Sequence, residues 1–177
     1  ALDRGLLILG ELHGTEQAPA ITLATACEAA RRDGRAWIGL ELPTAEQHVL
    51  DAYLAGGEEA ELLRTATWQR PLQDGRNSEA MLALLRSVRA LRQQGLKLEV
   101  VSFDVALEQS GARGRDQQMA SAIQSAQRDR GAAPGVVLVG NVHASRRLQL
   151  PQSLAWHLAK AGVAFRNFNV ATTGGTA

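Results

Sequence analysis

Four apolar runs in this chain end in side chains that can move protons. LLILGE (6–11) ends in Glu11 and is followed at once by His13; WIGLEL (37–42) carries Glu41; LEVVSFD (98–104) ends in Asp104; VVLVGN (136–141) ends in Asn141 and is followed by His143. An imidazole titrates near neutral pH, and a carboxylate can be tuned upward by burial, so the set suits general acid–base work on a water molecule, with His13 or Glu11 as base. A glutamate beside a histidine, near two further acids, separates pKa values and divides acid from base. The catalytic candidates are therefore Glu11, His13, Glu41 and His143. His13, Glu41 and His143 also form a mixed set that could bind zinc or manganese, whose water would ionise near pH ~7, although the spacing matches no diagnostic metal motif.

Arg76, in QDGRNSEAM, lies just before a helix start, and Arg115 with Asp116 opens another helix. Their guanidiniums are candidates to hold a substrate carboxylate or polarise a carbonyl. Asp104 and Asn141 complete the candidate substrate-binding set. Gly10 and Gly140 remove side chains where strand meets loop. A single acid after a strand is commonly a helix cap, and His48 and His157, inside helical stretches, read as structural. No nucleophile elbow, phosphate loop or dinucleotide fingerprint is present. The single cysteine, Cys27, sits in an alanine-rich stretch and reads as a small buried hydrophobe, misplaced for a nucleophile.

These residues need a scaffold that gathers them. The runs above read as buried strands, with AFRNFNV (164–170) as a weaker fifth, and helical patterns alternate with them. One helix starts near Pro19 and stops before Gly34; a second covers 78–94, with Ser78 as N-cap and Gly95 as stop; others cover 115–130 and 151–161. Alternation of this kind predicts an α/β fold, a mainly parallel sheet with helices on both faces. Ligand sites of such sheets lie outside the carboxyl ends of the strands, where all these polar residues fall. The connection from strand two to strand three is long, and about 43–97 reads as an inserted helical cap, broken at Gly56 and Gly57. A single domain, 1–177, is expected, with TTGGTA as a small low-complexity tail.

The composition sets outer limits. At 177 residues, 45% hydrophobic and 21% charged, the chain has enough apolar content for one core. A net charge of +1 and scattered arginines, such as Arg86, Arg89 and Arg92 on one predicted helix, give no basic stripe for nucleic acid and read as a solvated face. No apolar run approaches the ~20 residues of a membrane span. The chain opens at Ala1, so a removed leader and an exported or periplasmic location are expected, with the cytoplasm as the alternative.

GELHGT (10–15), GLELP (39–43), DGRNS (74–78), RDQQMA (115–120) and GNVHA (140–144) together resemble the erythromycin-esterase / ChaN-like / TraB–Tiki superfamily, with uncharacterised bacterial ChaN-like proteins as the closest likeness. The resemblance implies an α/β sheet with a helical cap and places Glu11, His13, Glu41 and His143 at the centre, with Arg76 and Arg115 nearby. The activities it implies diverge: esterase members open a macrolide lactone, Tiki-like members are metal-dependent proteases, and ChaN members are linked to haem, held by a tyrosine between two subunits. The only tyrosine here is Tyr53, within the cap. The expectation is a hydrolase of ester or peptide bonds acting on a small-molecule or peptide substrate, with or without a divalent metal. The alternative is a ChaN-type haem or metal carrier.

Overall fold

The structure, a computed structural model, describes residues 5–71, 74–105, 107–145 and 152–171, excepting the side chains of 107–113; the TTGGTA tail lies outside these residues. Strand β1 (Leu6–Glu11) leads into helix α1 (Gln17–Asp33), which has Pro19 in its first turn and ends at Gly34 in the left-handed conformation, φ 80°. Strand β2 (Ala36–Pro43) is followed by a short 3-10 turn (Thr44–Glu46) and by helices α2 (Gln47–Leu54), α3 (Glu59–Leu63), α4 (Ala66–Gln69) and α5 (Glu79–Gln93). Ser78 caps α5, its hydroxyl accepting from the Met81 N–H. Then come β3 (Leu98–Asp104), α6 (Leu107–Arg130), β4 (Gly135–Gly140), α7 (Asn141–Ala144), α8 (Leu154–Lys160) and β5 (Phe165–Asn169).

The five strands form one all-parallel sheet in the order β3-β2-β4-β1-β5. The chain winds outward from β1 through β2 to β3, then returns to β4 and β5. Outward crossovers use α1 to α5 on one face, and the return uses α6 to α8 on the other. A right-handed crossover rule requires this change of face when the winding reverses. The adjacent carboxyl ends of β1 and β4 lie where outgoing and returning paths part, the place at which open α/β sheets hold ligands.

Period-two alternation divides each strand between the two layers. Leu7, Leu9, Ile38, Leu40, Val100 and Leu138 pack with α1 and α5, whereas Ile8, Trp37, Phe103, Val137 and Val139 pack with Met119 and Ile123 of α6. Segment 43–97 is not set apart from that core: Leu50, Tyr53, Leu54 and Leu62 belong to the same buried cluster as α1 and α5. Gln47 docks α2 on the free edge of β3, its amide donating to Val100 O at 3.0 Å and accepting from Ser102 N at 2.6 Å. This pairing blunts an edge that would otherwise offer bare backbone groups.

Arg86 donates to Glu59 and Glu79, and Arg89 to the carbonyls of Gly56 and Gly57 while lying 4.9 Å from the Tyr53 ring centroid. One local expectation is corrected. Helix α6 begins at Leu107, so Arg115 and Asp116 stand two turns inside it rather than at its start. Gly111 and Gly114 suggest a loop by propensity, at about 1 kcal/mol each, but tertiary packing and the ion pairs described below override that preference.

Candidate active site

Each site residue is delivered by a different strand end or helix. Glu11 is the last residue of β1, and His13 follows it in the loop to α1; the His13 Nδ1–H donates to Glu11 Oε1 at 2.9 Å. His143 sits in α7, directly after β4, and its Nδ1–H donates to Asp116 of α6 at 2.5 Å. Each imidazole is thus turned by its own carboxylate, which fixes the tautomer and leaves Nε2 facing inward. Both Nε2 atoms face one residue: His13 at 3.6 Å from Glu41 Oε2, and His143 at 3.8 Å from Glu41 Oε1.

Glu41 owes its place to an irregularity in β2. Pairing with β4 stops after Leu40, and the register against β3 shifts between Leu40 and Pro43. Bulges of this kind re-aim a side chain beside a functional site. The Glu41 Oε2 then accepts the Gly140 N–H at 2.8 Å, so the carboxylate bonds to β4 where the backbone ladder has opened. Glu41 Oε1 accepts from Arg115 Nη2 at 2.8 Å and from Arg76 Nη1 at 3.2 Å. The same two guanidiniums clamp Asp104, Arg115 through Nε and Nη2 at 2.8 Å each and Arg76 through Nη1 at 3.0 Å.

The electrostatics follow from this packing. Burial pushes the Glu41 carboxyl up, but His143, His13, the Gly140 N–H and Arg76 outweigh it and hold the group below the usual carboxylate range. Burial works against charge on His13, yet the Glu11 hydrogen bond and the Glu41 and Glu11 carboxylates raise its pKa above the ordinary 6.5. His13 therefore adds stability that is complete below 6.5 and fades as pH rises through its folded value; Glu41 adds stability above its ordinary 4.5 that fades as pH falls through its lowered folded value.

The glycines divide their roles. A Cβ on Gly10 would meet Asn169 Oδ1 at 2.3 Å and Ala144 Cβ at 2.8 Å, so its bareness serves packing. A Cβ on Gly140 would stand 3.1 Å from His13 Nε2, 3.5 Å from His143 Cδ2 and 3.6 Å from Glu41 Oε2, in the space the three side chains share. The backbone there, φ −53°, is open to any residue, so space and not conformation calls for glycine. Gly140→Ala is therefore expected to fold normally and to lose at least about tenfold in turnover, a small displacement of reacting groups being costly. Circular dichroism beside a turnover assay checks it; an alanine variant with full activity contradicts this use of the space. Gly14 and Gly75, both at φ 88°, bring the loops of His13 and Arg76 into backbone contact: a Cβ on Gly75 would lie 2.3 Å from Gly14 N.

All four catalytic candidates and Arg76, Arg115 and Asp104 meet in this cluster. Asn141 is not the end of β4 but opens α7, where it is exposed. Two acids escaped sequence reasoning. Asp116 orients His143 and also accepts the Leu154 N–H at the start of α8. Asp74 holds Arg76 through its Nε at 3.0 Å and Nη2 at 2.6 Å; burial raises its pKa, but Arg76 and Arg70 bring it down to about 2. Their signal was adjacency: each lies one or two residues from an arginine already singled out. His48 is exposed on α2, and His157, on α8, packs against the Trp156 ring edge.

Among the described residues no group of three or more His, Cys, Asp or Glu side chains is arranged to hold a metal ion. His13, Glu41 and His143 do converge, but Arg115 Nη1 lies 3.2 Å from His143 Nε2, so the lone pair that would bind a cation already faces a guanidinium. Tyr53 is buried in α2, its hydroxyl donating to Glu59 at 3.2 Å, and Trp68 packs on the same apolar cluster. Cys27 is buried within α1.

No family model and no curated protein sequence matches the chain. Among solved structures, two comparisons define the class of fold. The erythromycin esterase EreC, as a mutant in its open conformation, superposes with a TM-score of 0.70 at 13% identity, over 95% of this chain and 70% of that one. The C-terminal region of Pasteurella multocida toxin, which bears a thiol-protease-like catalytic triad, superposes with a TM-score of 0.51 at 13% identity, over 77% of this chain and 19% of that one. The chain thus has the α/β fold of erythromycin esterase, with a five-stranded parallel sheet. No helix among the described residues is long and apolar enough to cross a membrane.

Proposed function

We propose that this cluster is the active site of a hydrolase that adds water to a carboxylic ester. The observation that carries the reading is the pair of carboxylate-held imidazoles whose Nε2 atoms face one buried glutamate across the bare Cα of Gly140. The fold shared with an esterase supports it. A thiol nucleophile has no place in it, because the single cysteine is buried in α1.

In this reading His13 Nε2 takes a proton from water, and the water oxygen forms its bond to the ester carbonyl carbon. The tetrahedral intermediate collapses with cleavage of the bond to the alcohol oxygen, which recovers the proton from His13. Glu11 holds the imidazole through Nδ1, and the Glu41 carboxylate stabilises the imidazolium that forms. His143, held by Asp116 at Nδ1 and facing Arg115 Nη1 at Nε2, walls the other side of the space that the water occupies. Arg76 and Arg115 clamp Glu41 and Asp104 at low solvent exposure rather than gripping a substrate.

The reading fixes a pH profile. His13 must be neutral to act as base, so kcat/KM rises with pH through an apparent pKa above 6.5. Glu11→Gln removes one of the two carboxylates that raise this pKa against burial, leaving Glu41 as the other. The acid limb then shifts to lower pH while the maximal rate falls. A limb that stays in place in the Glu11→Gln variant contradicts His13 as the base.

A further inference from the structure

The hydrolase reading leaves the substrate open, and two observations about the mouth of the site narrow it. The first concerns charge. Every guanidinium nitrogen near the centre has a partner: Arg115 donates to Asp104, Glu41 and His143, and Arg76 to Asp74, Glu41 and Asp104. Arg70 is bound to Asp74 as well. Against these three arginines stand Glu11, Glu41, Asp74, Asp104 and Asp116, so these described groups carry a surplus of acid while the histidines are neutral and only balance when both are protonated. Among the described residues, a substrate carboxylate or phosphate placed here meets guanidiniums already engaged by acids, and a surplus of acid.

The second concerns exposed apolar surface. Among the described residues, large hydrophobic side chains are exposed at Leu12 (66%), Val142 (55%), Phe168 (59%) and Ile21 (44%). Leu12 and Val142 each immediately precede a site histidine. Glu11 pairs with Gly140 at the ends of neighbouring strands, so the two apolar residues stand on adjacent chain segments at the carboxyl edge of the sheet. Phe168 lies on edge strand β5, opposite Leu9, and Ile21 on α1, so neither adjoins a site histidine in the chain. Single exposed hydrophobics are ordinary; one beside each of two site histidines is a rim.

We infer that the site takes an uncharged ester whose acyl portion is apolar and rests on Leu12 and Val142. The inference rests on the hydrolase reading and adds the substrate class. Polar neighbours supply the chemistry, and the two aliphatic side chains supply uniform binding of the acyl chain.

The test is kcat/KM for 4-nitrophenyl acetate, butyrate and hexanoate, and for the adipate half-ester, which matches hexanoate in length but ends in a carboxylate. From the free energy of burying a methylene, acetate to hexanoate is expected to gain roughly tenfold or more with partial burial, and adipate to fall well below hexanoate. Leu12→Ser and Val142→Ser are expected to reduce the hexanoate-to-acetate ratio, and Ile21→Ser, outside the rim, to preserve it. Hydrolysis that depends on His13 but shows no chain-length preference, or that favours adipate, overturns the inference and leaves the hydrolase reading standing. No His13-dependent hydrolysis of any of these esters removes both.

Discussion

Replacing His13 by alanine is expected to lower ester turnover by about 10²–10⁴-fold, the usual contribution of a positioned acid–base group. The fold should survive. His13 lies at a loop, half-buried, and makes no part of either apolar layer. Its loss does strand Glu11, a buried acid whose Oε2 has no partner and whose Oε1 is held by His13. An unsatisfied buried carboxylate costs about 1–3 kcal/mol, so the urea midpoint should fall modestly. Glu11→Gln in the same background should recover part of that stability and none of the activity. A His13→Ala variant with near-normal turnover means that the proton passes elsewhere.

Arg115→Met is expected to be among the most destabilising substitutions of a polar residue. Methionine keeps much of the length and bulk but removes the charge shared by Asp104 and Glu41, both nearly inaccessible to solvent. Breaking a buried ion pair from one side costs about 3–5 kcal/mol, since the remaining charge is left uncompensated. Arg76 still touches both acids, which places the expectation near the lower end, about 3 kcal/mol by urea denaturation. An exposed pair would give no more than about 1 kcal/mol and would weaken with salt. A loss below about 1 kcal/mol in Arg115→Met contradicts the view that these guanidiniums hold the floor of the site.

The parallel sheet and the edge where the chemistry gathers were legible because both depend on local pattern. Strands buried on two faces must be nearly continuous in apolar residues, and polar residues at their ends must then share an edge. Glu11, His13, Glu41, Asp104 and His143 were visible for that reason. Asp116 and the true start of α6 were not. The helix opens across two glycines that local propensity reads as a loop, and beyond its adjacency to Arg115 only the tertiary pairing with His143 and the Leu154 N–H marks Asp116 as more than a surface acid. The part played by Arg76 and Arg115 was hidden similarly. Sequence shows arginines close to the site, but only the fold shows that every donor is matched by a carboxylate or an imidazole. The position of Asn141 was misread only in its element: a polar residue at the end of an apolar run reads as a strand end, but it is the first residue of α7 and is exposed.

The central claim is that the two carboxylate-held histidines work as one hydrolytic centre. Its most direct test is hydrolysis of 4-nitrophenyl butyrate by wild type, by His13→Ala, by His143→Ala and by the double variant, under one buffer. Residues acting as a unit are strongly non-additive, so the double variant is expected to be about as slow as His13→Ala alone. Wild type no faster than the double variant, or two losses that simply multiply, would contradict a shared centre.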